Sequence, residues 1–195
     1  MKIPHGISVS LPWILVAILA ISNVLLINQN LKMREALEKN LPSSLQAGEA
    51  VPSFDARTID GNPVRIYYPG RGPKKVLFYF TPPCKFCLKQ FPYWRSILAQ
   101  ADANRFEVIG LVREAEDVAK LKTYLSEMGC APDSPTPLKV VLISDEILLR
   151  YKLSATPVTL IVSNNARVEK AWMGLWDEAN ISAASSAIGI AISSH

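Results

Sequence analysis

Apolar residues follow two different patterns along this chain. Residues 11–27 form an uncharged run whose only polar interruptions are Ser22 and Asn23. The 17 residues of this run reach the lower limit of about 17–25 residues for a helix that spans a membrane. Beyond Gly48, shorter apolar segments alternate between the spacing of strands and that of helices. The pattern predicts one transmembrane helix followed by one folded α/β domain.

The boundaries of these regions come from the polar residues on either side of the apolar run. The predicted segments, in order, are a short tail, a transmembrane anchor, a stalk or linker, and a folded domain: 1–10, 11–28, 29–48 and 49–195. A cleaved signal peptide is the alternative for the anchor, because Ala20-Ile21-Ser22 offers small residues at a suitable spacing. The apolar run continues beyond those residues, which favours an uncleaved anchor. Basic residues flank both of its ends, so the charges alone leave its orientation open.

In the folded domain, the spacing of apolar residues predicts strands and helices in alternation. The first two strands are predicted to form a β-hairpin and the others a central sheet: 51–54, 64–68, 76–80, 106–112, 139–143, 158–162 and 168–172. The predicted helices are 84–100, 115–128, 146–151 and 177–192. The segment 76–80 is continuously apolar, which is typical of a strand covered on both faces. The expected fold class is therefore α/β, with a central sheet flanked by helices and a hairpin at its N-terminal end.

Composition narrows the classes of protein that fit this pattern. With 49% hydrophobic residues, 19% charged residues and a mean hydropathy of +0.17, the chain is too apolar for a disordered or collagen-like protein. Its net charge is +4, but residues 49–195 carry 17 basic and 15 acidic side chains. That balance indicates no nucleic-acid partner. The two histidines, His5 and His195, stand near the ends of the chain, so no metal site is predicted in the folded domain.

Two cysteines, Cys84 and Cys87, form a CxxC pair at the start of the predicted helix 84–100. We expect Cys84 to be the attacking thiol, because unpaired N–H groups at a helix N-terminus favour its thiolate and Lys85 adds a positive charge. Cys87 follows one helical turn later and can resolve a mixed disulfide by attacking Cys84. The spacing therefore favours thiol-disulfide exchange, with no cofactor other than the pair itself.

The residues beside the pair give it an apolar surface. Pro83 and the ring of Phe86 could receive an extended segment of a partner protein that carries a cysteine. The third cysteine, Cys130, lies between Gly129 and Ala131. It is interpreted as a small, half-buried loop residue rather than as a second resolving thiol.

The pair and a motif further along the chain carry a family resemblance. A CxxC at a strand-to-helix junction, followed about seventy residues later by Thr156-Pro157 directly before a predicted strand, resembles the thioredoxin superfamily. The segments Val51-Pro52-Ser53-Phe54 and Phe91-Pro92 are similar, more narrowly, to the membrane-anchored TlpA/ResA-like thiol-disulfide oxidoreductases. The resemblance extends from Gly48 to the C-terminus and implies a thioredoxin-like fold with a mixed sheet.

The resemblance also implies a site and a role. Pro157 corresponds to the superfamily's cis-proline, and the backbone of Thr156 would align a partner protein as an added strand. The domain would lie outside the cytoplasmic membrane of a bacterium, on a single-pass anchor, and a membrane protein would supply its electrons. Its partners would be protein thiols or disulfides, and the family suggests reduction of a disulfide during maturation of cytochrome c or a metalloprotein. The direction of electron flow depends on reduction potentials, which the sequence leaves open.

Three positions depart from the family's pattern. Thioredoxins have a tryptophan directly before the first cysteine and a buried acid six residues before it, and here these positions are Pro83 and Phe78. ResA-like proteins have a glutamate three residues after the second cysteine, where this chain has Gln90. The carboxylates that would move a thiol proton are therefore missing from both positions. Gln90 and Lys85 are the candidate residues that modulate the pair in their place.

Two other functions remain open. Thr81 stands three residues before Cys84, as a threonine does in the peroxiredoxins, which favours a peroxidase. Against it, Leu77 replaces the proline of that family, and Cys87 is misplaced for its usual resolving cysteine. The other alternative is a non-catalytic anchored binding module in which the CxxC pair holds a metal or forms a local bridge. The missing carboxylate favours such a module, the lack of a second ligand pair in the sequence counts against it, and metal analysis would distinguish it.

Overall fold

The computed structural model describes residues 11–40, 45–68, 70, 72–102 and 104–193. The chain divides into two units, residues 1–41 and 42–195. The predicted tail over residues 1–10 and both histidines, His5 and His195, lie outside the described residues. The described residues therefore comprise one N-terminal helix and one folded domain.

The N-terminal unit contains helix α1, Leu11–Asn40. Within it, Trp13–Lys32 is a segment of 20 residues with a mean hydropathy of 1.9. By length and composition this segment could cross a membrane, and it is the one such candidate in the part of the chain that the structure describes. The helix continues past residue 28, because residues 29–40 are rich in Leu, Lys, Glu and Met, which favour helix. The first part of the predicted linker is thus helical.

The second unit is built on a seven-stranded mixed sheet. Its strands, in chain order, are β1 Phe54–Thr58, β2 Pro63–Ile66, β3 Lys74–Tyr79, β4 Phe106–Arg113, β5 Lys139–Ile143, β6 Val158–Val162 and β7 Val168–Met173. Their order across the sheet is β2-β1-β5-β4-β3-β6-β7. β3, β4 and β5 run parallel to one another, and the remaining neighbours are antiparallel. The predicted α/β class, with a mixed sheet and an N-terminal hairpin, is confirmed.

Helices cover both faces of this sheet. The helices α2 (Lys85–Ala99), α3 (Val118–Glu127) and α5 (Glu178–Ile188) pack their apolar side chains into one hydrophobic cluster, and α4 (Asp145–Arg150) packs into another. The segment 76–80 contributes to both clusters, because alternate side chains of a strand point to opposite faces. The prediction that this strand is covered on both faces is therefore correct.

The first predicted strand is displaced along the chain. It begins at Phe54 rather than at residue 51. The N–H of Val51 bonds to the carbonyl of Ala166 in the β6–β7 turn, at 2.9 Å, and Pro52 has no N–H to donate to a ladder. These residues therefore attach the N-terminal end of the domain to the opposite end of the sheet, and the hairpin starts only after them.

Two predicted helices extend at least three residues beyond an observed end, because those ends are capped. Helix α3 begins at Val118 rather than at residue 115, since the carboxylate of Asp117 accepts hydrogen bonds from the first free N–H groups of the helix. Helix α5 ends at Ile188 rather than at residue 192. There Gly189 adopts a left-handed conformation at a φ of 78°, which terminates the helix.

Candidate active site

The CxxC pair lies at the point where the central strand β3 gives way to helix α2. After β3 a turn is closed by the N–H of Cys84, which donates to the carbonyl of Thr81 at 2.8 Å. Pro82 and Pro83 occupy this turn, joined by a cis peptide bond. Cys84 is the N-cap of α2, and its Sγ accepts a hydrogen bond from the backbone N–H of Cys87 at 3.0 Å. The sulfur of Cys84 thus lies where the unpaired N–H groups of a helix favour negative charge.

The two cysteines of the pair differ in their exposure to solvent. Cys84 and Cys87 are joined in a disulfide, with their Cα atoms 5.2 Å apart. Cys84 is partly exposed, whereas Cys87 has no exposed surface. A partner sulfur from outside the protein can therefore reach Cys84 and not Cys87.

The segment before β6 lies against the sulfur of Cys84. The hydroxyl of Thr156 donates to Cys84 Sγ at 3.4 Å, and it also lies 3.4 Å from the hydroxyl of Thr81. The Thr156-Pro157 peptide bond is cis, as the family resemblance implied. The carbonyl of Pro157 accepts a hydrogen bond from the N–H of Gly174 at 2.8 Å, which ties this segment to the end of β7. The structure therefore brings Thr156, Pro157 and the CxxC pair together from distant parts of the chain.

Uncharged side chains fill both positions at which the family has an acid. Phe78 is buried and stacks on Trp94, with ring centroids 4.6 Å apart and planes 8° from parallel. Gln90 is completely buried, and its Oε1 accepts a hydrogen bond from the backbone N–H of Trp176 at 2.9 Å. Its Nε2 has no partner among the described residues. Gln90 therefore attaches α2 to the segment that follows β7, one helical turn beyond Cys87.

The other predicted residues of the site lie on its surface. Pro83, Lys85 and Phe86 are exposed, and Phe86 retains 58% of its accessible surface. Leu175, next to the segment that bonds to Pro157, is also exposed. These side chains give the surroundings of the disulfide an apolar character beside a positive charge.

One residue of the site was missed by sequence reasoning. The hydroxyl of Tyr124 on α3 donates to the backbone carbonyl of Cys84 at 2.9 Å. Burial raises the pKa of Tyr124 to about 12, so the phenol stays neutral and remains a donor at neutral pH. Together with Pro82 and Pro83, Tyr124 lines a cavity of about 320 Å³ beside the pair. The sequence signal that could have identified Tyr124 is its position three residues after Leu121, on the same inward-facing side of the helix.

The third cysteine lies outside this site. Cys130 is fully buried, and burial raises the pKa of its thiol to about 12. The thiol therefore stays protonated and inaccessible near neutral pH. Cys130 is thus fully buried rather than half-buried as predicted.

The described residues also contain no cluster of three or more His, Cys, Asp or Glu side chains able to hold a metal ion. The pair Cys84 and Cys87 accordingly stands without further ligands of that kind in the described ranges.

Comparisons with known proteins agree with this geometry. The sequence matches the family described as AhpC/TSA over residues 47–171. It is 29% identical over 124 residues to the methylamine utilization protein MauD of Methylophilus methylotrophus, a match that covers 62% of this chain and 53% of that protein. It is 23% identical over 140 residues to sporulation thiol-disulfide oxidoreductase A of Bacillus subtilis, covering 68% of this chain and 80% of that protein. The chain thus spans about half the length of the MauD relative.

Solved structures show the same fold. A thiol:disulfide interchange protein from Chlorobium tepidum, described as DsbE, superimposes with a TM-score of 0.60 at 18% identity, covering 75% of this chain and 98% of that one. At this identity the similarity concerns the fold alone. The expected thioredoxin-like fold is confirmed, and so is the resemblance to the TlpA/ResA-like proteins.

Proposed function

Because this chain belongs to the AhpC/TSA family, we propose that it is a membrane-anchored thiol-disulfide oxidoreductase that exchanges disulfides with partner proteins. The observation that carries the proposal is the Cys84–Cys87 disulfide, in which one sulfur is reachable at a helix N-terminus and the other is buried. This arrangement separates the roles of the two cysteines. Cys84 attacks, and Cys87 resolves.

The reaction we propose transfers two electrons and two protons to a partner disulfide. The thiolate of Cys84 attacks one sulfur of the partner, forming a mixed disulfide and releasing the other partner sulfur as a thiolate, which takes up a proton. Cys87 then loses its proton and attacks Cys84, which closes the Cys84–Cys87 disulfide and releases the second partner thiol. A membrane protein that donates electrons would return the pair to its reduced form.

The apolar segment and the family support a proposal for the location and the class of substrate. The segment Trp13–Lys32 could hold the chain in a membrane, and we propose a single span in the bacterial cytoplasmic membrane with the folded domain on the outer, periplasmic side. The substrates would be protein disulfides that must be reduced during maturation of cytochrome c or another metalloprotein. Such a role requires that the pair be a reductant.

The reduction potential of the pair tests this function. The full chain, purified in detergent, is equilibrated in thiol redox buffers, and the fraction of Cys84–Cys87 disulfide is measured by mass-tagging the free thiols. We expect a reversible two-electron couple between about −180 and −300 mV, with a value near the lower end for a reductant. Failure to form the disulfide at any buffer potential would contradict thiol-disulfide exchange.

Two further assays on the same preparation distinguish the alternatives. A peroxidase would consume hydrogen peroxide with a thiol donor faster than it reduces a protein disulfide, and we expect the reverse. A binding module would retain a stoichiometric metal through purification, which elemental analysis detects. Either result would replace the proposal with the corresponding alternative.

Replacing Phe86 with alanine tests the apolar surface beside the pair. Phe86 is 58% exposed and stands two residues after the attacking cysteine, so contact with a protein partner can bury much of it. Burial of about half of a phenylalanine side chain contributes on the order of 1 kcal/mol, so exchange with a protein disulfide is expected to slow by about 3–10-fold. Exchange with a small disulfide should change little, because a small molecule does not cover the ring.

The matched control is Leu149→Ala, which removes another exposed apolar side chain, 80% exposed on α4. It should leave both rates unchanged. If Phe86→Ala affects protein and small disulfides equally, Phe86 does not contact the partner.

A further inference from the structure

The two threonine hydroxyls beside the disulfide lie close together because of the pairing of β3 with β6. These strands are antiparallel, and Tyr79 lies opposite Val158. Extending that register by two residues beyond each strand end places Thr81 opposite Thr156. The contact of 3.4 Å between their hydroxyl oxygens is the result. The sheet therefore brings together two hydroxyls that are 75 residues apart in the sequence.

The hydrogen bonds among these groups have one consistent direction. A sulfur in a disulfide, or in a thiolate, can only accept a hydrogen bond, so the hydroxyl of Thr156 donates to Cys84 Sγ. That hydroxyl has a single proton, which leaves its oxygen free to accept. Thr81 is then the donor to Thr156, and the chain of bonds runs from Thr81 through Thr156 to Cys84.

The contact between the two hydroxyls measures 3.4 Å, which is long for such a bond. The contact of Thr156 with the sulfur also measures 3.4 Å. A neutral disulfide sulfur is a weak acceptor, and reduction converts it into a thiolate. Hydrogen bonds to a charged acceptor are shorter and stronger than those to a neutral one. The hydrogen bonds that run from Thr81 through Thr156 to Cys84 are thus placed to strengthen when Cys84 becomes the nucleophile.

We propose that Thr81 is a positioning residue, which directs the hydroxyl of Thr156 towards Cys84 Sγ and so favours the thiolate. The inference rests on the proposed function, in which that thiolate is the attacking group. Thr81 acts through Thr156, because in the described residues the side-chain hydrogen bond to the sulfur comes from Thr156 and that of Thr81 goes to Thr156.

The charged and titratable groups near Cys84 come from α2 and α3. Lys85 is the next residue along α2, and Cys87 donates its backbone N–H to the sulfur. Tyr124, from α3, donates to the carbonyl of Cys84. Lys120 and Glu127, also from α3, line the cavity beside Pro83. These groups are the same in every Thr81 variant, so their effect on the ionisation of Cys84 is constant when the variants are compared.

The test is the pH dependence of alkylation of Cys84 in the reduced full chain in detergent, with the modified residue located by peptide mass spectrometry. In Thr81→Val the midpoint should move upward by about half a pH unit, the size expected from losing one ordinary hydrogen bond. Below the midpoint the rate should fall by about threefold, since only the thiolate reacts. At high pH, where the thiol is fully ionised, the two rates should coincide.

Three variants separate this role from a structural one. Thr81→Ser retains the hydroxyl and should restore the original midpoint, and Thr81→Ala should show the same shift as Thr81→Val. Thr123→Val removes an exposed hydroxyl on α3, bonded within its own helix, and should leave the midpoint unchanged. An unshifted midpoint in Thr81→Val, or an equal shift in Thr81→Ser, overturns the proposal.

The two proposals fail in different assays. Alkylation reports the ionisation of Cys84 whether or not the pair exchanges with proteins. If the unaltered chain fails to exchange with any protein disulfide, the proposed function is wrong. If it exchanges normally and the Thr81 variants titrate alike, only the role of Thr81 is wrong.

Discussion

The Cys87→Ala variant is expected to accumulate partner proteins in disulfide bonds to Cys84. The first attack needs only the exposed sulfur, and the variant retains it. Release of the partner needs a second thiol within reach, and Cys87, 5.2 Å away between Cα atoms, is that thiol. Without it the mixed disulfide persists. The measurement is a non-reducing gel of cell extracts containing the full chain, with mass spectrometry of the peptides joined to Cys84.

The reciprocal variant, Cys84→Ala, should neither trap partners nor turn over. Cys87 has no exposed surface and cannot take the place of the attacking thiol. Removing the nucleophile removes the covalent route, so the exchange rate should fall by more than about 10³-fold. Cys130→Ala is the matched control and should keep full activity, because this thiol is buried outside the site. Equal trapping by the Cys84→Ala and Cys87→Ala variants would contradict the assigned roles.

Local patterns in the sequence were sufficient to predict most elements of the fold. The segment 76–80 and strands β5 and β6 are runs of Val, Ile, Leu and aromatic residues, and such runs suit strands that are covered on both faces. The start of α2 was equally predictable, because Pro82 and Pro83 interrupt regular structure directly before the CxxC pair. Each of these signals is contained within a few consecutive residues.

What could not be predicted depends on contacts between distant parts of the chain. The first strand starts at Phe54 because Val51 bonds to Ala166, a residue more than a hundred positions away. The contact of Thr81 with Thr156 depends on the register between β3 and β6. Periodicity carries no information about register between strands that are not joined by a short turn. Local sequence patterns therefore indicate where the elements lie, but not which hydroxyl groups meet between them.

Phe78 and Gln90, where the chain departs from the family's pattern, show the difference between what the sequence predicts and what only the structure reveals. The sequence showed that a carboxylate is missing at Phe78 and at Gln90. The structure shows what the replacements do. Phe78 forms part of an aromatic stack, and Gln90 binds the backbone of Trp176. Both replacements hold α2 to the rest of the domain, so these positions now contribute to packing where the family has a proton-transferring group.

Replacing Trp94 with alanine should cause the largest loss of stability among the changes considered. Trp94 is fully buried on α2, stacks on Phe78, and donates its Nε1–H to the hydroxyl of Thr159 at 2.8 Å. The substitution leaves a large cavity and removes the donor, so the free energy of unfolding should fall by about 3–5 kcal/mol. The total free energy of unfolding of a domain is only about 5–15 kcal/mol. Urea unfolding of the full chain in mild detergent, followed by near-UV circular dichroism, measures the loss.

Two variants divide this loss between packing and hydrogen bonding. Trp94→Phe keeps an aromatic ring against Phe78 and removes the N–H, so about 1–3 kcal/mol should be lost through the buried hydroxyl of Thr159. Trp172→Ala is the matched control, since Trp172 pairs with Thr159 from β7 and is only partly buried. This substitution should lower the free energy of unfolding by about 1–2 kcal/mol, in proportion to the apolar area that Trp172 buries. If Trp172→Ala lowers the free energy of unfolding as much as Trp94→Ala does, the stack of Trp94 on Phe78 is not the main contact that holds α2 to the sheet.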